Sequence, residues 1–190
     1  MAGPAAADEP TFVRAQRYIG DRVTAALARV DREAVAHALE ILGRAPQVFV
    51  YGAGRSGIVG RAFAMRLVQA GLRAYVIGES VTPIVGPGDA VFIVSGQGES
   101  YSSIQTANIV RREGARLIVL TARSTSKLAH TATVLIALDL ADDAERPRYA
   151  PLGTLFESAS LRLTDAIIAE LLALRGETEA SMRKRHAIMV

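Results

Sequence analysis

Cysteine and tryptophan are absent from this chain of 190 residues, and histidine occurs only three times. Without cysteine there is no disulfide, no thiolate nucleophile and no cysteine-held zinc or iron–sulfur site. No two of His37, His130 and His186 stand at a metal-ligand spacing, so no metal site is expected. Long apolar runs are missing too. A membrane span needs roughly 20 apolar residues, and even DAIIAELLALRG carries Asp165, Glu170 and Arg175. The start, MAGPAAADEP, lacks the basic opening and apolar centre of a signal peptide, which leaves the cytoplasm as the default compartment. The dense basic run RKRH at 183–186 comes without an aromatic platform or reading motif. It reads as a solvated helix end rather than a nucleic-acid contact.

What is present is apolar sequence in a regular order. Half of the chain is hydrophobic and 22% is charged, the composition of a globular protein long enough for one domain with a sizeable core. The net charge of +3 comes mainly from scattered arginines and suits an anionic metabolite. Residues 1–10 read as disordered, and 11–190 as a single domain. Within it, 11–44 is helical: Val23, Leu27 and Val30 line one face, Val35, Ala38, Leu39 and Leu42 another, with Asp31 as a cap between two helices. From 47 to 139, apolar runs (QVFVYG, RAYVIG, AVFIVS, RLIVLT, TVLIALD) alternate with helices expected over 56–70, 101–113 and within STSKLAHTA. Such alternation calls for a parallel sheet covered on both faces. A loop with Pro147 and Pro151 leads to a long helix over 154–174 and a last short helix before the tail, the segment 154–190. The expected fold is α/β: a three-layer sandwich around a five-stranded parallel sheet in the flavodoxin-like order 2-1-3-4-5, with extra N-terminal helices.

Residues 48–60, VFVYGAGRSGIVG, run from a strand through a glycine-rich turn into a helix, with Gly52, Gly54 and Gly57 in G-x-G-x-x-G spacing. A dinucleotide is one candidate ligand, and Glu79 ends the second strand where a ribose-binding acid would stand. The second turn alters the balance. Ser95, Gly96, Gln97, Gly98, Glu99 and Ser100 sit where the third strand feeds its helix. In the order 2-1-3-4-5 the first and third strands are neighbours at the switch point, so both turns open into one crevice. Small residues let backbone N–H groups approach an anion, and helix N-termini supply positive charge. Ser56, Ser95 and Ser100 then converge on one compact phosphate, whereas a dinucleotide needs a wider platform. An ordinary turn capped by Ser100 is the competing reading.

A strand, GAGRSG and a helix, followed by a strand, SGQGES and a helix, resemble the sugar isomerase (SIS) domain. GRAFAMRL, YVIGESVTP, PLGTLFE, DAIIAEL and the terminal RHA resemble the 6-phospho-3-hexuloisomerase family over nearly the whole chain after Phe12. The resemblance implies a homotetramer without a cofactor. The implied reaction interconverts D-arabino-hex-3-ulose 6-phosphate and fructose 6-phosphate in the ribulose monophosphate pathway of formaldehyde fixation, next to 3-hexulose-6-phosphate synthase. It carries Ser56 over from the first turn, Ser95 to Ser100 as the phosphate loop, and Glu157 of PLGTLFE as the base; Gly54 and Arg55, from the turn itself, join Ser56 as expected substrate-binding residues. Two departures stand out. Gln97 and Ser100 replace the family's usual serine and threonine, and the tail reads RHAIMV instead of continuing R-H-A-N.

Moving a carbonyl between C3 and C2 takes a proton from C2, forms a 2,3-enediolate and returns a proton to C3. One carboxylate on one face performs both steps, with donors stabilising the enediolate. A furanose closed from C3 would need the phosphorylated C6 oxygen, so the 3-ketose enters acyclic. Glu157 also has a structural reading, because Thr154-x-x-Glu157 has capping-box spacing. Arg55 serves phosphate or oxyanion, or else a surface ion pair. His186 is a proton shuttle reaching a neighbouring subunit's site, or a tail residue. Glu79 supports the site or is a surface acid, and His37 and His130 are helix-surface residues. The alternatives are another isomerase of the same fold, such as one for arabinose 5-phosphate, a phosphosugar-sensing module without catalysis, and a nucleotide-dependent oxidoreductase.

Overall fold

The computed structural model describes residues 9–140 and 142–187. Most of the segment expected to be disordered, and Ile188–Val190 of the tail, lie outside the described residues. Helices α1 (Thr11–Ala28) and α2 (Arg32–Arg44) come first. Asp31 separates them as expected: its carboxylate accepts the backbone N–H groups of Glu33 at 2.9 Å and Ala34 at 3.4 Å, donors that a helix start otherwise leaves free. The apolar runs form β1 (Val48–Gly52), β2 (Ala74–Val76), β3 (Ala90–Val94), β4 (Arg116–Thr121) and β5 (Val134–Ala137). Between them lie α3 (Gly54–Gln69), α4 (Tyr101–Arg112) and a 3-10 turn (Ala129–Thr131). Then follow α5 (Arg146–Tyr149), α6 (Thr154–Arg175) and α7 (Glu179–Lys184).

All strand pairs are parallel, in the order β2-β1-β3-β4-β5. Strands β1 and β3 are therefore neighbours, registered from Val48 opposite Ala90 to Gly52 opposite Val94. Alternation along the strands divides the core. Val48, Val50, Phe92, Ile118 and Ile136 pack with α2, α3 and α6 on one face. Phe49, Val91, Ile93, Leu117 and Val119 pack with Ala107 and Val110 of α4 and with Leu128 on the other. Both faces are covered, which is why the strands read as unbroken apolar runs. Helix α1 lies outside α6 and joins Tyr18 to Tyr149 and Leu155.

Four local expectations change. Helix α3 begins at Gly54, inside the glycine motif, so Arg55 and Ser56 lie on its first turn. STSKLAHTA holds only the 3-10 turn, and the stretch read as a loop before α6 contains α5. The capping box at Thr154 does not form: the hydroxyl donates to the Pro151 carbonyl at 2.6 Å, and Gly153 is the N-cap. No helix among the described residues is long and apolar enough to cross a membrane.

Candidate active site

Three helices start at the carboxyl edge of the sheet, and their first turns face one another across an open cleft of about 660 Å³. Ala53 and Ser56 bring α3 to it, Ser95, Gly96, Gln97 and Ser100 bring the loop into α4, and Gly153 and Glu157 bring α6. Each helix N-terminus presents unpaired N–H groups and about half a positive charge. The first turns of α3 and α4 contain no acidic residue to offset it. The cleft is therefore biased toward an anion, and its volume falls in the range of small-molecule sites.

Each glycine-rich turn has its own reason for glycine. In the first, a Cβ at Gly57 would lie 2.5 Å from the Gly52 carbonyl oxygen, so the helix start packs directly on the end of β1. In the second, Gly98 has φ +65°, and a Cβ there would fall 2.1 Å from Ser126 Oγ; no L side chain fits. Ser95 is buried at the end of β3, and its N–H donates to the Leu120 carbonyl. Ser100 caps α4 by accepting the Ser103 N–H at 3.5 Å, and its hydroxyl lies 3.0 Å from that of Ser102. Capping leaves Ser100 on the cleft wall, so the cap does not remove it from the cleft.

Glu157 reaches the same cleft from the first turn of α6. Its side chain is 13% exposed and pairs with the guanidinium of Arg55, itself 69% exposed on the first turn of α3. Freed of any capping duty, the carboxylate lies beside the two glycine-rich turns with a cation against it. Such a pair can exchange a proton with a bound carbon acid while the guanidinium and the helix termini hold negative oxygens.

The remaining expected site residues lie elsewhere. Gly54 opens α3 with φ +56°. Glu99 turns away from the cleft lining and accepts the Lys127 backbone N–H at 3.0 Å, with Lys127 Nζ at 3.8 Å. His186 is exposed after α7, its Nδ1 2.9 Å from the Ala187 carbonyl oxygen. Glu79 pairs with Arg61 at 3.2 Å. Other cleft residues were not singled out from the sequence: Arg123 after β4, Arg146 of α5, Leu152 and Phe156. Arg146 donates to Asp142 at 2.5 Å and to the Leu152 carbonyl at 3.4 Å. Leu152 is the one non-glycine residue with positive φ among those described, at 55°, and is 92% exposed. A left-handed conformation costs about 1–2 kcal/mol, so strain concentrates at the mouth of the cleft. A signal for Arg123 existed: ARSTS follows β4 and supplies a third loop at the same sheet edge.

Residues 41–173 match the SIS domain. Similar proteins include the 3-hexulose-6-phosphate isomerase of Methylomonas aminofaciens, 35% identical over 78% of this chain and 83% of that protein. The 3-hexulose-6-phosphate isomerase of Bacillus subtilis is 36% identical over 74% of this chain and 78% of that one. A crystal structure from Methanococcus jannaschii, for which a 3-hexulose-6-phosphate isomerase function has been inferred, superposes with a TM-score of 0.81 at 27% identity, covering 90% of this chain and 98% of that one.

Proposed function

Because the chain belongs to the SIS domain family, we propose that it is the isomerase that interconverts D-arabino-hex-3-ulose 6-phosphate and fructose 6-phosphate. The observation that carries the reading is the single cleft that holds hydroxyl-bearing turns of β1 and β3 beside Glu157. In this reading the substrate phosphate sits against Ser56, Ser95, Gly96, Gln97 and Ser100, at the starts of α3 and α4. Gly54 and Gly98 shape the turns, and Glu99 braces the second one. The acyclic sugar then extends toward α6. Glu157 takes the C2 proton, the electrons move into a 2,3-enediolate with O3 negative, and the same carboxylate returns a proton to C3. Arg55 shifts from Glu157 to the developing oxyanion. His186 of a neighbouring copy moves protons between O2 and O3. No cofactor takes part.

The assembly proposed is a homotetramer of chains in which 11–190 acts as one SIS domain, working in the cytoplasm and fed by 3-hexulose-6-phosphate synthase. The direct test is deuterium entry into fructose 6-phosphate in heavy water, with isomer formation followed alongside. Wild type incorporates deuterium at C3. Glu157→Gln loses about 10²- to 10⁴-fold of that exchange, the usual contribution of a general base. Exchange that survives in the glutamine variant removes Glu157 from the role, and no exchange in wild type removes the reaction.

A further inference from the structure

We infer that Gly153 is a positioning residue for Glu157, required for the space its missing side chain leaves and not for backbone freedom. The inference rests on the reading of Glu157 as the base. Gly153 has φ −85° and ψ 5°, angles open to any L-residue, so conformation does not call for glycine. Space does. A Cβ at this position would lie 2.8 Å from Glu157 Oε1 and 3.2 Å from Cδ.

The carboxylate is thus held from two sides. Oε1 rests against the bare backbone of Gly153, and Oε2 takes the Arg55 guanidinium. The Glu157 N–H donates to the Gly153 carbonyl at 2.9 Å, which fixes the two residues one helical turn apart. The Thr154 hydroxyl on the Pro151 carbonyl secures the turn that precedes them. An added methyl meets the far end of a flexible side chain, so the carboxylate swings away before the backbone moves. Gly153→Ala folds and misplaces the base.

The test uses the full chain, the exchange assay and a melting curve. Gly153→Ala is expected to lose about a hundredfold in kcat, the scale of a 1 Å misplacement, with little change in KM. Its melting midpoint holds or rises, because alanine restricts the unfolded chain. In the Glu157→Gln background the same substitution removes none of the residual exchange, since the group it acts through is gone. Wild-type kcat in Gly153→Ala, an equal loss in both backgrounds, or a collapsed melting midpoint would each overturn the inference. A fully active Glu157→Gln removes the base assignment and this inference with it. An inactive Glu157→Gln beside a fully active Gly153→Ala removes the inference alone.

Discussion

Cations near the cleft are mostly committed. Among the described residues, Arg55 holds Glu157, Arg146 holds Asp142 and Lys127 holds Glu99. Arg123 lines the cleft and holds no carboxylate, while its backbone N–H donates to Thr121 Oγ1 at 3.2 Å and fixes it just beyond β4. A free guanidinium beside two helix N-termini is the natural partner of a phosphate dianion, which accepts two parallel N–H donors. Arg123→Ala should therefore raise KM about ten- to a hundredfold, the worth of one charge-assisted hydrogen bond, with kcat nearly unchanged. Inorganic phosphate should lose potency as a competitive inhibitor in step, and Arg123→Lys should recover part of both. Unchanged phosphate inhibition would leave Arg123 as a surface residue. The serines of the two turns were legible because strand order alone brings their loops together. Arg146 was not, since a single arginine beside a proline has no periodicity or spacing to mark it, and for Arg123 the one mark was its place in the loop after β4.

At the scale of elements, α7 is tied down by one ion pair. Arg185 donates to both carboxylate oxygens of Glu177 at 2.8 and 2.9 Å and to the Gln69 carbonyl at 3.2 Å, at the C-terminal end of α3. The Arg185 bond, then that of Ser181, hold the Glu177 carboxyl down at about 2, with Arg175 adding attraction. A depressed folded pKa contributes stability that is present above the ordinary value of 4.5 and is lost as pH falls toward 2. Amide protection of α7 should accordingly fall within that window while the sheet stays protected, and Arg185→Ala should loosen α7 at neutral pH. Protection unaffected by that substitution would show that something else anchors the segment. The strands and long helices were readable in the sequence because each buries a continuous run or a full face. The short pieces were not. Helix α5 was masked by Pro147, which marks loops but also fits a first helical turn. The expected helix in STSKLAHTA shrinks to a 3-10 turn because Ser126, packed under Gly98, caps the Ala129 N–H instead of continuing a helix. The capping box failed because α6 starts at Thr154 itself, one residue earlier than the box requires, with Gly153 in the N-cap position.

For the whole molecule, the decisive relation is between the two ends of α3. Its first turn faces Glu157, and its last meets the α7 segment that carries His186. A helix of 16 residues spans about 24 Å, whereas a proton shuttle works at hydrogen-bond distance. Within one chain the two proposed groups stand at opposite edges of the sheet, so the role proposed for His186 requires a neighbouring copy's cleft. Exposed apolar side chains on the helical layers, Phe12, Ile58, Met65 and Leu161, offer surface for such a contact, and light scattering should report an oligomer. A shared site makes a sharper prediction. Glu157→Gln and His186→Ala chains, each nearly inactive alone, should regain activity when co-assembled. In a mixed pair, one cleft combines the intact Glu157 of one chain with the intact His186 of the other. Its twin carries both lesions. With random pairing half of the pairs are mixed, so recovery should approach about a quarter of wild-type activity. Activity no higher than that of the parents would confine each site to one chain. A fully active His186→Ala would remove the histidine from the reaction and leave proton transfer between O2 and O3 to water or to Glu157 itself.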